Sequence, residues 1–252
     1  MSVHRDTISP RDVNTPSPGG RDLRRGGLRA MAGAMSAAWH RDAFEGLPYR
    51  VLLPEPYDVS RRYPLVIFLH GSGERGRDNE RQLLHGVHHF ARPEVRRALP
   101  AIVVAPQCPP ESSWGGTWFG GPNATQATVV RLVEDLGRRR TVDPARVLLV
   151  GASMGAIGGW ELLAHHRERF AAALLLCGDP DVAWAERLRG FPVWSFHGGA
   201  DDLVRPEHAR ALHAQLPPPA RWTELPGLGH DIWEPVFTNP EVYAWLGAQR
   251  AR

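Results

Sequence analysis

From about residue 40 onward, apolar residues fall into short runs set apart by polar, glycine- and proline-rich stretches. Pro64–Leu69, Ala101–Ala105, Val147–Val150, Ala172–Leu176 and Pro192–Phe196 are apolar almost throughout, which predicts strands buried on both faces. Tyr49–Leu53 and Trp222–Leu225 read as further strands. Between them lie segments of helical character: Asn79–Phe90, Ala124–Arg140, Gly155–His166, Pro206–Leu216 and Pro240–Gln249. In the second of these, Val129, Leu132, Val133 and Leu136 recur at helical spacing, and Asn123 stands where a cap belongs. Val142-Asp143-Pro144 reads as a turn. Strands alternating with helices predict one α/β domain over residues 40–252, with a mostly parallel central sheet and helices on both faces. No internal repeat is present, and no insertion between strands is long enough for a large lid.

Residues 1–39 have a different texture. Ser-Pro, Thr-Pro and Gly-Gly pairs crowd residues 9–20 without helical or strand period, which predicts a disordered extension. Arg24-Arg25 and the small residues after them form a weak match to an export signal, interrupted by Arg29. The expectation is therefore a cytoplasmic protein, with Met31 or Met35 as alternative starts.

Charge refines the picture. The chain is +3 overall, and residues 1–39 account for all of it; the remaining body balances arginine against acid. A nucleic-acid-binding stripe should sit on the folded body, so no nucleic-acid partner is expected. No apolar run reaches the roughly 18 residues of a membrane span, so no membrane partner is expected either. All 30 basic residues are arginine, which excludes Schiff-base chemistry and a P-loop lysine. With two cysteines, Cys108 and Cys177, a disulfide scaffold and a Cys-rich zinc module are also excluded.

The strongest chemical signal is Gly151-Ala152-Ser153-Met154-Gly155 between the Val147–Val150 strand and a helix. A serine on a sharp strand-to-helix turn projects its hydroxyl from the sheet edge. Gly151 and Gly155 remove Cβ atoms where strand and helix approach, and the Met154 N–H opens the helix as an oxyanion donor. Such a serine needs a base that is itself oriented by an acid. The strand before residue 197 runs into His197-Gly-Gly-Ala-Asp201-Asp202, and the strand before residue 226 into Pro226-Gly-Leu-Gly-His230. Serine, acid and histidine thus follow in order, each after its own strand. Asp201 and Asp202 both remain open as the acid. His208 and His213 lie in a helical segment, so His230 is the expected base. Earlier in the chain, Leu65–Leu69 leads into His70-Gly71-Ser72-Gly73, where the Ser72 N–H is the second expected oxyanion donor and His70 a brace.

These phrases, with Ala105-Pro-Gln-Cys-Pro109 and Gly229-His-Asp-Ile-Trp233, resemble the α/β-hydrolase superfamily over about residues 44–246. The likeness is to single-domain carboxylesterases, polyhydroxybutyrate-depolymerase-like and feruloyl esterases, and to the catalytic domain of prolyl oligopeptidases. The resemblance implies the α/β-hydrolase fold, Ser153 as nucleophile, Asp201 as acid, His230 as base, and Ser72 and Met154 as oxyanion donors. It implies a small-molecule ester as substrate and no cofactor or metal. The serine departs from the cysteine of dienelactone hydrolases, and the propeller of prolyl oligopeptidases is missing. Peptidase or thioesterase action on the same fold is the alternative activity, with a non-catalytic protein behind it.

The remaining features carry less. Gly71-Ser-Gly73-Glu-Arg-Gly76 is a literal dinucleotide fingerprint after a strand, but accepting it leaves the triad loops unexplained. His85, His88 and His89 read as a solvated helix face, because no carboxylate or cysteine set completes a metal site. The cysteines read as unpaired buried residues, and the Asn123 sequon is discounted. Of nine tryptophans, Trp114 and Trp118 beside Phe119, and Trp233 three residues past His230, are the expected substrate-binding residues.

Overall fold

A computed structural model describes residues 38–139 and 141–251. The extension expected over residues 1–39 lies outside the described residues, except for Ala38 and Trp39. Among the described residues eight strands form one sheet: β1 Trp39–Phe44, β2 Leu47–Leu52, β3 Tyr63–Leu69, β4 Ile102–Pro106, β5 Val142–Ala152, β6 Ala172–Leu176, β7 Val193–Gly198 and β8 Arg221–Leu225. Their spatial order is β1-β2-β4-β3-β5-β6-β7-β8. β2 is antiparallel to both β1 and β4, and every pairing from β4 to β8 is parallel. Seven helices connect them: α1 Pro93–Ala98, α2 Ala124–Arg139, α3 Met154–His166, α4 Ala185–Leu188, α5 Glu207–His213, α6 Trp233–Phe237 and α7 Pro240–Ala248. This is the α/β-hydrolase architecture.

Side-chain alternation along the strands divides the interior in two. In β3, Leu65, Ile67 and Leu69 join Leu132 and Leu136 of α2 and Trp160 of α3 on one face. Val66 and Phe68 join Val95 of α1, Phe237 of α6 and Leu246 of α7 on the other. Each such side chain stabilises the fold by roughly 1.5–3 kcal/mol, which is why runs apolar at every position become central strands. The Asn123 cap forms as expected, its Oδ1 accepting from Gln126 N at 2.9 Å.

Connectivity positions the site. From β3 the chain steps to β4 on one side, then returns to place β5 on the other. The carboxyl ends of β3 and β5 therefore flank the reversal where open α/β sheets bind ligands.

Four expectations change. β1 is an added strand: only Trp39 of its first five residues is buried, so this edge strand lacks an apolar period. β5 starts at Val142 and so takes in the expected Val142-Asp143-Pro144 turn, because Val142 pairs with Tyr63 before the register shifts. The short helices α4 and α6 are too brief to show a period. The helix expected over Asn79–Phe90 does not form; the segment holds short 3-10 turns at Arg81–Leu83 and Val87–Ala91. Two local causes are visible. Gly86 adopts φ 77° where an added Cβ would meet the Phe237 ring at 2.6 Å. Asn79 adopts φ 55°, outside the right-handed helical region, with its backbone N–H on Gln107 Oε1 at 2.6 Å and its amide on Tyr49 O at 3.1 Å.

Candidate active site

Ser153 sits at the β5–α3 junction with φ 53° and ψ −119°, a conformation that costs a non-glycine residue of order 1–3 kcal/mol. The surroundings hold it there. Its N–H donates to Leu176 O of β6 at 2.9 Å, and its carbonyl accepts from Ala156 and Ile157. An added Cβ would lie 2.4 Å from Gly155 O at Gly151, and 2.0 Å from Leu69 O at Gly155. Strand, elbow and helix can approach this closely only with glycine at both places.

Asp201 and His230 are brought together by backbone. Gly199 N donates to Leu225 O at 2.9 Å and Ala200 N to Leu228 O at 2.8 Å, so the loops after β7 and β8 are laced to each other. His230 Nδ1 then donates to Asp201 Oδ2 at 2.7 Å, and Ser153 Oγ–H donates to His230 Nε2 at 2.8 Å. Asp201 is buried, and its Oδ1 accepts from Leu203 N and Val204 N at 3.0 and 2.9 Å. Asp202 is exposed and takes no part in this arrangement. His208 and His213 stand elsewhere: the first bonds Asp179 at 2.9 Å, the second the Ser195 hydroxyl.

The loop after β3 lies beside the serine, close enough that an added Cβ on Gly71 would come 3.5 Å from Ser153 Cβ. Ser72 begins a 3-10 turn and Met154 begins α3, so neither N–H has a partner within its own element. His70 braces this loop, as expected. Its Nδ1–H donates to Gly71 O at 2.6 Å, and its Nε2 accepts from Cys108 N at 3.0 Å. Burial lowers its pKa to about 4, so the imidazole stays neutral with its tautomer fixed by these two bonds. No longer helix follows this loop, so the pyrophosphate seat that the dinucleotide fingerprint requires is missing.

Ser153 and His230 open into a cleft of about 270 Å³ that Gly71, Ser72, Glu74, His85, Leu203 and Trp233 also line. Trp233 meets His230 edge-on, ring centres 5.6 Å apart. The other two expected substrate-binding aromatics, Trp114 and Trp118, lie outside the cleft lining. Trp114 is fully buried: its Nε1–H donates to His70 O at 2.9 Å and its ring packs edge-on against His70. Trp118 is half exposed and donates to Asp179 Oδ2 at 2.6 Å, outside the cleft lining. The cause is the chain path, since Gly116 N is tied to buried Glu161 at 2.6 Å and the loop runs along α3, away from Ser153. A second cleft of about 350 Å³ lies at the opposite, amino ends of β3 and β5, and neither histidine nor carboxylate is among its lining residues.

Three residues at the site escaped sequence reasoning. His197 is buried, donates from Nε2 to Val204 O at 2.7 Å, and lies 3.4 Å from Asp201 Oδ2. It fixes the turn whose amides hold the acid, and burial lowers its pKa. Its signal was its place at the head of the His-Gly-x-x-Asp phrase. Glu74 is buried in the cleft wall, and burial pushes its pKa up, the nearby His85 working against that rise. His85 Nε2 stands 3.7 Å from Glu74 Oε1. No local pattern announced either. Cys108 and Cys177 are buried and unpaired.

Comparison with known proteins bears on this geometry. The model of the Esterase family matches residues 45–194, more than half of the chain. The chain belongs to the Esterase family. That match takes in Ser153 and the loop after β3 but ends before Asp201 and His230. Among solved structures, the crystal structure of a thermostable esterase is similar to this Esterase-family chain at TM-score 0.82 and 32% identity, over 86% of this chain and 64% of that one. A ferulic acid esterase is similar at TM-score 0.65 and 15% identity, over 83% of this chain and 96% of that one; this is a likeness of fold. Dipeptidyl-peptidase 5 of Porphyromonas gingivalis is 27% identical over 135 residues, 51% of this chain and 19% of the peptidase. The chain thus spans less than two thirds of the thermostable esterase and about a fifth of the peptidase. No helix of the described residues is long and apolar enough to cross a membrane.

Proposed function

We propose that this Esterase-family chain is a serine carboxylesterase acting on small-molecule esters through a Ser153–His230–Asp201 triad and an acyl-enzyme. The observation that carries the reading is the continuous bond chain from Ser153 Oγ through His230 to Asp201 Oδ2, at 2.8 and 2.7 Å. Ser153 Oγ attacks the ester carbonyl while its proton passes to His230 Nε2. Asp201 holds the opposite ring nitrogen as donor and balances the imidazolium. Negative charge gathers on the carbonyl oxygen, and the Ser72 and Met154 N–H groups receive it. His230 then protonates the departing alcohol. Water then gives a proton to His230 as its oxygen bonds the acyl carbon; the bond from that carbon to Ser153 Oγ breaks, His230 returns the proton to Oγ, and the acid leaves.

The cleft favours modest acyl groups, since about 270 Å³ is below the usual size of drug-sized ligand sites. Trp233 gives that cleft an aromatic wall against which a flat or apolar acyl group buries area. The relationship to a dipeptidyl peptidase keeps amide bonds as the competing substrate class. The deciding experiment pairs fluorophosphonate labelling with hydrolysis of aryl, short-chain and sugar esters and of the matching amides. Labelling at Ser153 with ester turnover exceeding amide turnover supports the reading; an unlabelled Ser153 or faster amide cleavage overturns it.

A further inference from the structure

The three-histidine segment changes meaning once folded. His89 is buried, on a 3-10 turn and not on a solvated helix face. The carboxylate that the sequence around it lacks arrives from Glu234 of α6, far along the chain. Glu234 Oε2 lies 2.8 Å from His89 Nε2, yet neither ring nitrogen of His89 makes a hydrogen bond, and Nδ1 of His88 is likewise buried and unbonded. A buried imidazole normally bonds through at least one nitrogen. The carboxylate oxygen is close to the imidazole nitrogen but out of line with its N–H direction, so no hydrogen bond engages either donor atom of His89. His88, His89 and Glu234 each bring a ligand atom within 4.8 Å of the others. Among the described residues the one other such trio is Cys177, Asp201 and His230, in which Asp201 and His230 belong to the proposed triad and the Cys177 thiol donates to His230 O.

We propose that His88, His89 and Glu234 form a binding site for one divalent transition-metal ion of the Zn²⁺ class, with water in the remaining position. Two imidazoles and a carboxylate are the donor set that borderline ions such as Zn²⁺, Co²⁺ and Ni²⁺ favour over Mg²⁺ or Ca²⁺. The surroundings orient the donors. The His89 ring is stacked on Phe237 with centres 5.9 Å apart, and the His88 and His89 rings lie 4.2 Å apart. Arg92 stands 3.8 Å from Glu234 Oε1, the oxygen turned away from His89, which leaves Oε2 for the ion. Glu234 is mostly exposed, so its side chain is free to close the last ångström onto the metal. The ion would tie the 87–91 turn, between β3 and β4, to the helix that follows the His230 loop. Its role is to fasten the base loop, and it takes no part in the ester chemistry.

The test uses the chelator-treated full chain. Zn²⁺ is titrated by calorimetry, and Co²⁺ by its visible ligand-field bands. The expected result is one ion per chain, a Tm that rises with Zn²⁺ concentration, and Co²⁺ bands typical of four-coordination. Glu234→Gln and His88→Asn should each weaken binding at least tenfold. Because Glu234 is exposed, E234Q should fold, and unchanged fluorophosphonate labelling without metal checks that it has. Substoichiometric binding, a Tm indifferent to Zn²⁺, or affinity unchanged in both variants overturns the site, whatever the outcome for ester hydrolysis.

Discussion

The two sides of the chain reversal between β3 and β5 are built on different principles. On the β5 side, the loops after β5, β7 and β8 each present one side chain, and each residue's place follows from the strand end that carries it. On the β3 side, residues 70–91 contribute mainly backbone to the cleft, and long-range polar contacts hold that backbone. Buried Arg50 donates to Asn79 O at 2.6 Å and to Trp39 O at 2.8 Å. Gln107 bonds Asn79 N at 2.6 Å and Asp78 Oδ1 at 2.8 Å. Chemistry on one side is written in single residues, and on the other in pairs distant in sequence. Damage should therefore be sharp and catalytic on the first side, and graded and structural on the second.

The largest effect should come from the nucleophile. Ser153→Ala is expected to lower ester turnover by about 10⁶-fold, the scale of nucleophile loss in triad enzymes, with Tm within a few degrees of the parent. Turnover retained within tenfold would remove Ser153 from the chemistry. Next stands Asp201→Asn, expected to cost about 10⁴-fold because the amide stabilises the wrong imidazole tautomer. Asp202→Asn should change turnover less than about threefold, as exposed polar positions rarely matter to a buried bond chain. Reversed losses in these two variants would move the acid by one residue.

On the β3 side, Gln107→Ala leaves the Asn79 N–H without its acceptor. Its cost should be about 1–3 kcal/mol in denaturant unfolding, with turnover falling by about tenfold or less as the Ser72 amide loses its fixed place. A variant as damaging to turnover as Asp201→Asn would erase the contrast between the two sides.

Acid probes the same contrast without mutation. His70 and His197 are buried and His213 is half-buried, and burial lowers the pKa of all three, to about 4 for His70 and His213. A base whose folded pKa lies below its unfolded one contributes stability above the unfolded value, and that contribution is lost as pH falls. Stability should therefore drop between about pH 6.5 and 4, where unfolding takes up protons. Glu74, raised by burial, acts in the opposite sense, contributing below its unfolded pKa and losing that contribution as pH rises. His70→Gln should flatten the acid limb in urea midpoints measured against pH; an unchanged limb would mean His70 does not remain neutral.

The smallest effect is reserved for Trp233→Ala. KM for aryl esters should rise about three- to tenfold, and less for acetate esters, from loss of stacking area worth about 1 kcal/mol. Equal changes for both substrates would make Trp233 a prop of the His230 loop.

The contrast also explains what the sequence made legible. Ser153 and Asp201 each follow a strand visible as an apolar run, His230 follows the more polar Arg221–Leu225, and one short phrase around each suggests its chemical type. The same local reading misjudged residues 79–90, because Asn79 looks helical until Tyr49 and Gln107 claim its hydrogen bonds and Gln82 donates to its side chain. Trp114 has the same history: its neighbours suggested an open loop, and only the tie from Gly116 to Glu161 turns the ring under His70. Glu74 and His85 meet through the turn between them, and Glu234 reaches His89 through tertiary packing. Neither contact has a period.

The pair Gly151 and Gly155 sets a boundary on how this protein can change. At both positions any added carbon would strike main chain, which cannot rotate aside as a side chain can. Laboratory evolution should find these two codons frozen, and variants that cross them should be lost before their substrate range is ever tested. Leu203 and Trp233 line the cleft, and a library restricted to them should retain its folded members and shift selectivity in small steps. The elbow is thus the inherited part of the protein, and the cleft wall the part open to adaptation.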